Sequence, residues 1–267
     1  MIRVTAALAA ALCVPVFAQR PSPAQQSAFI EKARQVALHY SDMLPDFVCT
    51  EVIQRSWGEP GILRKNHDSL TMQLSYFQKK ESYKLVSSGG LMGAPLGASS
   101  SGEFGSALRW IFEPESAAEF RWEKSASVRG TRAAVYSYRV PRDRSRYVLS
   151  YGVGENRVDK LVAFHGVLQI AEDTGMTLRL TYEADNIPAD FPIRKASNSV
   201  DYGYAEVGGR QYLLPARANS QMIHFPNRLL EMRSGAMRQT MFDNETEFRS
   251  YRKFEANSTI DFGDGKF

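Results

Sequence analysis

Residues 176–182 have the sequence MTLRLTY, in which apolar and polar side chains alternate strictly. Successive side chains of a β-strand point to opposite faces, so Met176, Leu178, Leu180 and Tyr182 share one face. A strand buried on both faces would be apolar throughout. The pattern therefore predicts an antiparallel sheet with one face on a core and the other face in water.

The same alternation recurs along the chain, in residues 70–76, 83–85, 120–122, 134–140 and 147–151. Glycine-containing connections predict hairpins at Arg129-Gly130-Thr131, Asp173-Thr174-Gly175 and Gly208-Gly209, and a further turn is expected at Lys79-Lys80-Glu81. The segment from Glu245 to Phe262 also alternates. As one strand it would be roughly 60 Å long, so we expect a bend or a break within it.

Two helices are expected. Ser22 followed by Pro23 is a good helix start, and apolar residues then recur every three or four positions up to Tyr40, so this helix should end before Pro45. A short helix is predicted from Glu103 to Phe112. These elements predict an α+β fold that is mostly antiparallel β. We expect a strongly curved sheet or half-barrel with the N-terminal helix and the short helix packed on its concave face.

Residues 1–18 have the organisation of a secretory signal peptide. Arg3 precedes a short apolar run, and Val16 and Ala18 provide small residues before a cleavage point at Gln19. The run is too short to span a membrane, so an exported protein, periplasmic or secreted, with no transmembrane segment is expected. Cys13 lies inside the run after Leu12, which is too large for a lipoprotein signal. Residues 19–267 should form a single β-rich domain.

A loop rich in glycine and serine, residues 87–106, interrupts the strand pattern. It contains six glycines and six serines, and we expect it to be flexible because ordering glycine has a high entropic cost. Its apolar residues Leu91, Met92 and Leu96 are unfavourable in water. They are predicted to close over the mouth of an apolar cavity.

The sequence indicates no metal site, no cofactor and no nucleic-acid partner. The four histidines have no metal-ligand spacing, and the net charge of +4 is a small excess. No nucleophile motif is present. Cys49 is the single cysteine after residue 18 and lies in an apolar segment, so we expect it to be buried and unreactive. An enzyme that uses Cys49 or Glu51 is the less favoured alternative.

The order of elements resembles that of the periplasmic lipoprotein-handling group of LolA, LolB and RseB, and of uncharacterised secreted bacterial proteins. The resemblance rests on the helix from Ser22 to Tyr40, on residues 46–50, on a strand-glycine-strand step at residues 164–170, and on the late segments 201–204 and 208–215. It implies a curved sheet that encloses a cavity for acyl chains. No functional residue is carried over from that group.

The interpretation is an exported binding protein that holds a lipid, an acyl chain of a lipoprotein or another hydrophobic partner in an apolar cavity of the sheet. The candidate ligand-binding residues are Leu91, Met92, Leu96, Phe104, Leu108, Trp110, Trp122 and Tyr138. The same aromatic residues could equally fill a core. The remaining alternative is an envelope protein-protein interaction module without a small ligand, which would hold its partner by a sheet edge or by the loop.

Overall fold

The computed structural model describes residues 20–62, 66–89, 103–152, 157–225 and 239–254. Two α-helices and twelve β-strands are found in these ranges. The helices are α1 (Pro23–Met43) and α2 (Ser106–Phe112). The strands are β1 (Phe47–Gly58), β2 (Asn66–Phe77), β3 (Lys80–Ser88), β4 (Glu119–Val128), β5 (Thr131–Val140), β6 (Val148–Tyr151), β7 (Val158–Leu161), β8 (Ala163–Ala171), β9 (Thr177–Asp185), β10 (Ile193–Val207), β11 (Arg210–His224) and β12 (Thr240–Lys253).

Helix α1 begins where the sequence predicts. The Ser22 hydroxyl accepts a hydrogen bond from the Gln25 backbone N–H, and the Gln25 side chain accepts one from the Ser22 backbone N–H. This reciprocal capping box satisfies two N–H groups that the helix itself cannot. The helix ends two residues before Pro45, and it buries Ala33, Ala37 and Tyr40.

Ten strands form one antiparallel sheet in the order β3-β2-β1-β12-β11-β10-β9-β8-β5-β4. The sheet is large, curved and open. The three predicted hairpins are confirmed, because they join β4 to β5, β8 to β9 and β10 to β11. The turn near residue 80 falls at Gln78 and Lys79, so Lys80 already belongs to β3. Strand β1 pairs with β12, so an early and a late segment of the described chain are neighbours within the sheet.

The strands β6 and β7 form a separate two-stranded sheet, inserted between β5 and β8. The arginine-rich segment before it forms a 3-10 turn, Arg142–Arg144, between β5 and β6, and these two strands do not pair with each other. Its arginines are solvent-exposed.

The predicted step at Gly166 is wrong. Gly166 lies inside the continuous strand β8, opposite Tyr138 on β5 and Tyr182 on β9. The Tyr138 hydroxyl donates to the Thr181 carbonyl at 2.8 Å, and a Cβ added to Gly166 would lie 1.8 Å from that carbonyl oxygen. The glycine is therefore required by the close approach of a neighbouring strand and a tyrosine side chain, and it does not mark a turn.

The two faces of the sheet differ as the alternation predicts. The convex face carries polar cross-strand pairs such as Arg179 with Asp201 and Asn219 with Asp243. The concave face carries the core, and α1 and α2 pack on it. The predicted fold class is therefore confirmed.

Several predictions concern residues outside the described ranges. These are the signal peptide, the loop residues Leu91, Met92 and Leu96, and the segment after Phe254. The ends of the predicted loop are described, and they are ordered elements: Ser87 and Ser88 belong to β3, and Ser106 begins α2. No helix within the described ranges has the length and apolar character needed to cross a bilayer.

Candidate functional site

Helices α1 and α2 cover one half of the concave face. Phe104, just before α2, packs against Phe47, Tyr76 and Phe248 with ring centroids 5.4 to 6.1 Å apart. The Tyr40 hydroxyl donates to the Leu213 carbonyl. These contacts join both helices to the central strands of the sheet.

Beside Tyr40 and Leu108, this half of the concave face is filled. The cavity that α1, α2 and the sheet enclose beside Tyr40 and Leu108 has a volume of about 10 Å³. Ligand pockets usually have roughly 300 to 1,000 Å³, so this volume holds about one water molecule and no acyl chain. The aromatic residues here form a packed core.

The described candidate residues from the sequence all belong to the core: Phe104, Leu108 and Tyr138 are members of one hydrophobic cluster, and Trp110 and Trp122 pack against it. Phe104 and Leu108 are buried in the helix-covered half. Trp110 stacks on Tyr147, and Tyr138 covers Gly166. Trp122 lies on the edge strand β4, where its ring meets Tyr136 edge to face. A ligand-binding role for these residues stays a prediction.

The concave face continues beyond the helices as a second half. At the end of the sheet where β1 ends and β12 begins, the half-buried side chains on this face are those of Trp57, Met222, His224 and Phe242, and Tyr151 of β6, in the separate two-stranded sheet, contacts His224. We call these five residues the rim. The His224 ring stacks on Phe242 with centroids 5.2 Å apart and contacts Tyr151 at 5.8 Å. Phe242 lies roughly 20 Å farther along β12 than Phe248, the residue that Phe104 contacts.

One row behind the rim, five polar side chains lie next to one another across five strands. In strand order β2-β1-β12-β11-β10 they are Asp68, Arg55, Asn244, Ser220 and Asn198, and each faces the next in the strand register. We call them the polar row. Four of them are buried, with exposed fractions of 6 to 7%, and Asn198 is half-buried.

The polar row is held by hydrogen bonds. The Arg55 guanidinium donates to both carboxylate oxygens of Asp68, from Nε at 2.6 Å and from Nη2. The Asn198 amide donates to the Tyr147 hydroxyl at 3.1 Å. Burying a polar group costs free energy unless it is hydrogen-bonded, so these contacts are what makes the row tolerable in this position.

The sequence contains a signal for the polar row that the sequence analysis did not use. Arg55 has the same strand parity as Cys49 and Ile53, and Asp68 has the parity of Leu70 and Leu74. A charged residue at a core-facing position of two consecutive strands, with opposite signs, is the pattern of a buried ion pair. The places of Asn244 and Ser220 in the row could be recognised only once the strand register was known.

In the part of the sheet formed by β1, β2 and β3, one carboxyl group has a pKa near neutral pH. Burial is the main cause that raises the pKa of Glu51 to about 7, and repulsion from the carboxylates of Glu103 and Glu81 adds to it. Burial also raises the pKa of Glu81. Tyr83 and Leu85 lie on the same face of the edge strand β3 as Glu81, and both are solvent-exposed.

Cys49 is buried, as predicted, with an exposed fraction of 2%. Burial and the nearby Glu51 carboxylate raise the pKa of its thiol to about 12, and a hydrogen bond with Tyr251 lowers it only in part. The thiolate is the nucleophilic form of cysteine, and this environment disfavours it. Among the described residues, no three His, Cys, Asp or Glu side chains are arranged to hold a metal ion.

No family model and no curated protein sequence matches this chain. Solved structures are similar to it, among them the following three. A DUF1329 family protein from Desulfovibrio piger is 8% identical with a TM-score of 0.40, over 88% of this chain and 95% of that one. A LolA superfamily protein from Nitrosomonas europaea is 9% identical with a TM-score of 0.36, over 86% of this chain and 94% of that one. A domain from Vibrio parahaemolyticus, described as a putative outer membrane lipoprotein-sorting protein domain, is 13% identical with a TM-score of 0.38. The match covers 89% of this chain and 97% of that one. Two of the three carry descriptions from the group that the sequence resembles.

Proposed function

We propose that this chain is an exported binding protein that holds a lipid, or the acyl part of a lipidated partner, on the second half of its concave face. The observation that carries the proposal is the rim. Its five large side chains are half-buried, and they lie on a concave surface beyond the footprint of α1 and α2. A concave surface with apolar side chains and a few placed polar groups is the usual character of a ligand site.

The test is direct binding of a fluorescent fatty-acyl probe to the purified and delipidated protein. Phe242→Ala should weaken binding about tenfold or more, because it removes a large apolar surface from the rim. Phe77→Ala is the matched control, since Phe77 lies at the opposite end of the sheet with 42% of its side chain exposed. It should bind the probe like the wild type.

Mass spectrometry of the protein before delipidation provides an independent measurement, and we expect co-purifying lipid. A delipidated wild-type protein that binds no acyl probe, together with a preparation that carries no lipid, would contradict the proposal.

A second candidate function is a protein-protein interaction module that uses the edge of the sheet. The edge strand β3 has no described strand on its outer side and exposes Tyr83, Leu85 and Val86, with exposed fractions of 43 to 61%. Such an edge can receive an extended segment of another protein. Loss of partner capture on Val86→Lys, in a protein that binds no lipid, would favour this second function.

A further inference from the structure

The small sheet of β6 and β7 exposes apolar side chains on its outer face. Val148 and Leu161 face each other across the two strands, with exposed fractions of 45 and 36%. Their sequence neighbours Leu149 and Val162 are buried, so the inner face is the one that packs on the rest of the protein. Single exposed apolar residues need no explanation, but adjacent ones can mark an interaction surface.

Arginine side chains continue the outer face at both ends of this apolar pair. Exposed and buried side chains alternate along residues 144–150, so Arg144 and Arg146 point outward together with Val148. Arg157 precedes β7 and donates to the outward Ser150 hydroxyl at 2.9 Å, which places it on the same face. These three arginine side chains are 56 to 58% exposed.

Carboxylates neutralise only part of this positive charge. Glu113 pairs with both Arg109 and Arg146, each at 3.0 Å, so two guanidinium groups have one carboxylate between them. In the sequence, residues 142–161 contain five basic and three acidic residues, and one of the acidic ones, Glu155, lies outside the described ranges. The remaining ion pairs of the outer face are Arg144 with Asp143 and Arg157 with Asp159.

Aromatic contacts hold the small sheet against the rest of the protein. Tyr147, just before β6, packs edge to face against Phe164 and Tyr182 of the main sheet. Tyr151, the rim residue on β6, contacts His224 with ring centroids 5.8 Å apart. The small sheet therefore lies beside the rim, and its outer face is on the side opposite to that contact.

We propose that the outer face of β6 and β7 docks the protein on a bilayer that contains anionic lipids. Val148 and Leu161 would enter the interface between head groups and acyl chains, and the arginines would bind the phosphate groups around them. The proposal goes beyond lipid binding in the concave face, because it concerns a different surface. Docking there brings the rim close to the membrane that supplies or receives a lipid.

The size of the outer face favours a membrane over a protein partner. A stable protein–protein interface buries roughly 800 Å² on each partner, far more than two aliphatic side chains on four-residue strands provide. Weak and reversible binding to an anionic bilayer needs only a small apolar area together with nearby basic residues.

The test is co-sedimentation of the purified protein with two kinds of vesicle. One kind consists of phosphatidylcholine alone, and the other contains an equal amount of phosphatidylglycerol. The wild-type protein should sediment with the anionic vesicles and not with the neutral ones, and added salt should release it. The double variant Val148→Ser and Leu161→Ser should lower the partition coefficient about tenfold, because it removes the apolar contact.

Arg144→Gln tests the charge separately and should lower the partition coefficient about threefold. Its control is Arg217→Gln, since Arg217 is exposed on the convex face opposite Asp201. The control for the apolar pair is Val86→Ser on the edge strand β3, where Val86 is 61% exposed. Both controls should sediment like the wild type. All of the substituted side chains are exposed, so the variants should fold, and circular dichroism checks this.

A wild-type protein that stays in the supernatant with anionic vesicles overturns the inference, as does equal sedimentation with both kinds of vesicle. An equal loss of sedimentation in Val86→Ser and in the double variant also overturns it, because binding would then not depend on the outer face. The double variant should still bind the soluble fatty-acyl probe, and Phe242→Ala should still sediment. These two measurements separate a failure of this inference from a failure of the proposed function.

Discussion

Arg55 and Asp68 face each other across the β1–β2 pair, and both lie buried on the concave face of the sheet. Their side chains meet in two parallel hydrogen bonds, with exposed side-chain fractions of 7 and 1%. The pair anchors one end of the polar row, and each charge is acceptable in this position because the other is present.

Asp68→Ala should lower the free energy of unfolding by about 3 to 5 kcal/mol, because it leaves the Arg55 charge buried without its carboxylate. Urea unfolding measures this loss. Arg179→Ala, which breaks the partly exposed pair with Asp201 on the convex face, is the control and should cost less than about 1 kcal/mol. Equal losses for the two variants would show that the Arg55–Asp68 pair is not effectively buried.

Gly166→Ala should destabilise the protein by about 3 kcal/mol or prevent its folding. The added Cβ overlaps the Thr181 backbone carbonyl, which cannot rotate away as a side chain can. Gly203→Ala is the comparison, because its Cβ would lie 3.3 Å from the Ala216 Cβ alone. We expect a change below about 1 kcal/mol there, measured by thermal unfolding. A Gly166→Ala protein with wild-type stability would contradict this account of β8.

The stability of the fold should depend on pH through Glu51. The pKa of Glu51 is raised from 4.5 to about 7 in the folded protein, so the folded state holds this proton more tightly than the unfolded chain. The resulting stabilisation is fully present below pH 4.5 and is lost as the pH rises through about 7, a loss of about 3 kcal/mol. Glu81 acts in the same direction.

Free energies of unfolding measured between pH 4 and pH 8 check this dependence. Glu51→Gln should flatten it, because the amide does not titrate. Glu247→Gln, on the convex face, should leave it in place. Stability that rises between pH 4.5 and pH 7 in the wild type, and keeps rising in Glu51→Gln, would contradict the assignment to Glu51.

Cys49 should react with a thiol reagent only after unfolding. Its pKa of about 12 leaves almost no thiolate at neutral pH, and its side chain is inaccessible. The rate of labelling in native buffer and in denaturant gives the comparison. Rapid native labelling, together with loss of an activity in Cys49→Ser, would support the enzyme alternative.

Export should remove residues 1–18, since Val16 and Ala18 precede the expected cleavage point. Intact-mass analysis of the exported protein should give a chain that begins at Gln19 or its cyclised form. A diacylglycerol-modified Cys13 at the N-terminus would show that the chain is processed as a lipoprotein.

Local patterns in the sequence determined the elements of this protein. The alternation at residues 176–182 predicted a one-sided strand, and the Ser22-Pro23 start predicted helix α1, because both patterns depend on neighbours within a few positions. The glycine-containing hairpins follow from backbone conformations that the turn itself requires.

The tertiary structure alone decided which strands meet and what each row contains. The pairing of β1 with β12 brings Arg55 beside Asn244, and the pairing of β12 with β11 adds Ser220. Backbone hydrogen bonds between strands are the same for every residue type, so register between segments distant in sequence is set by packing of the whole face and not by any local pattern. For the same reason Gly166 was taken for a step between two strands: the groups it must make room for, the Thr181 carbonyl and the Tyr138 hydroxyl, belong to residues on other strands.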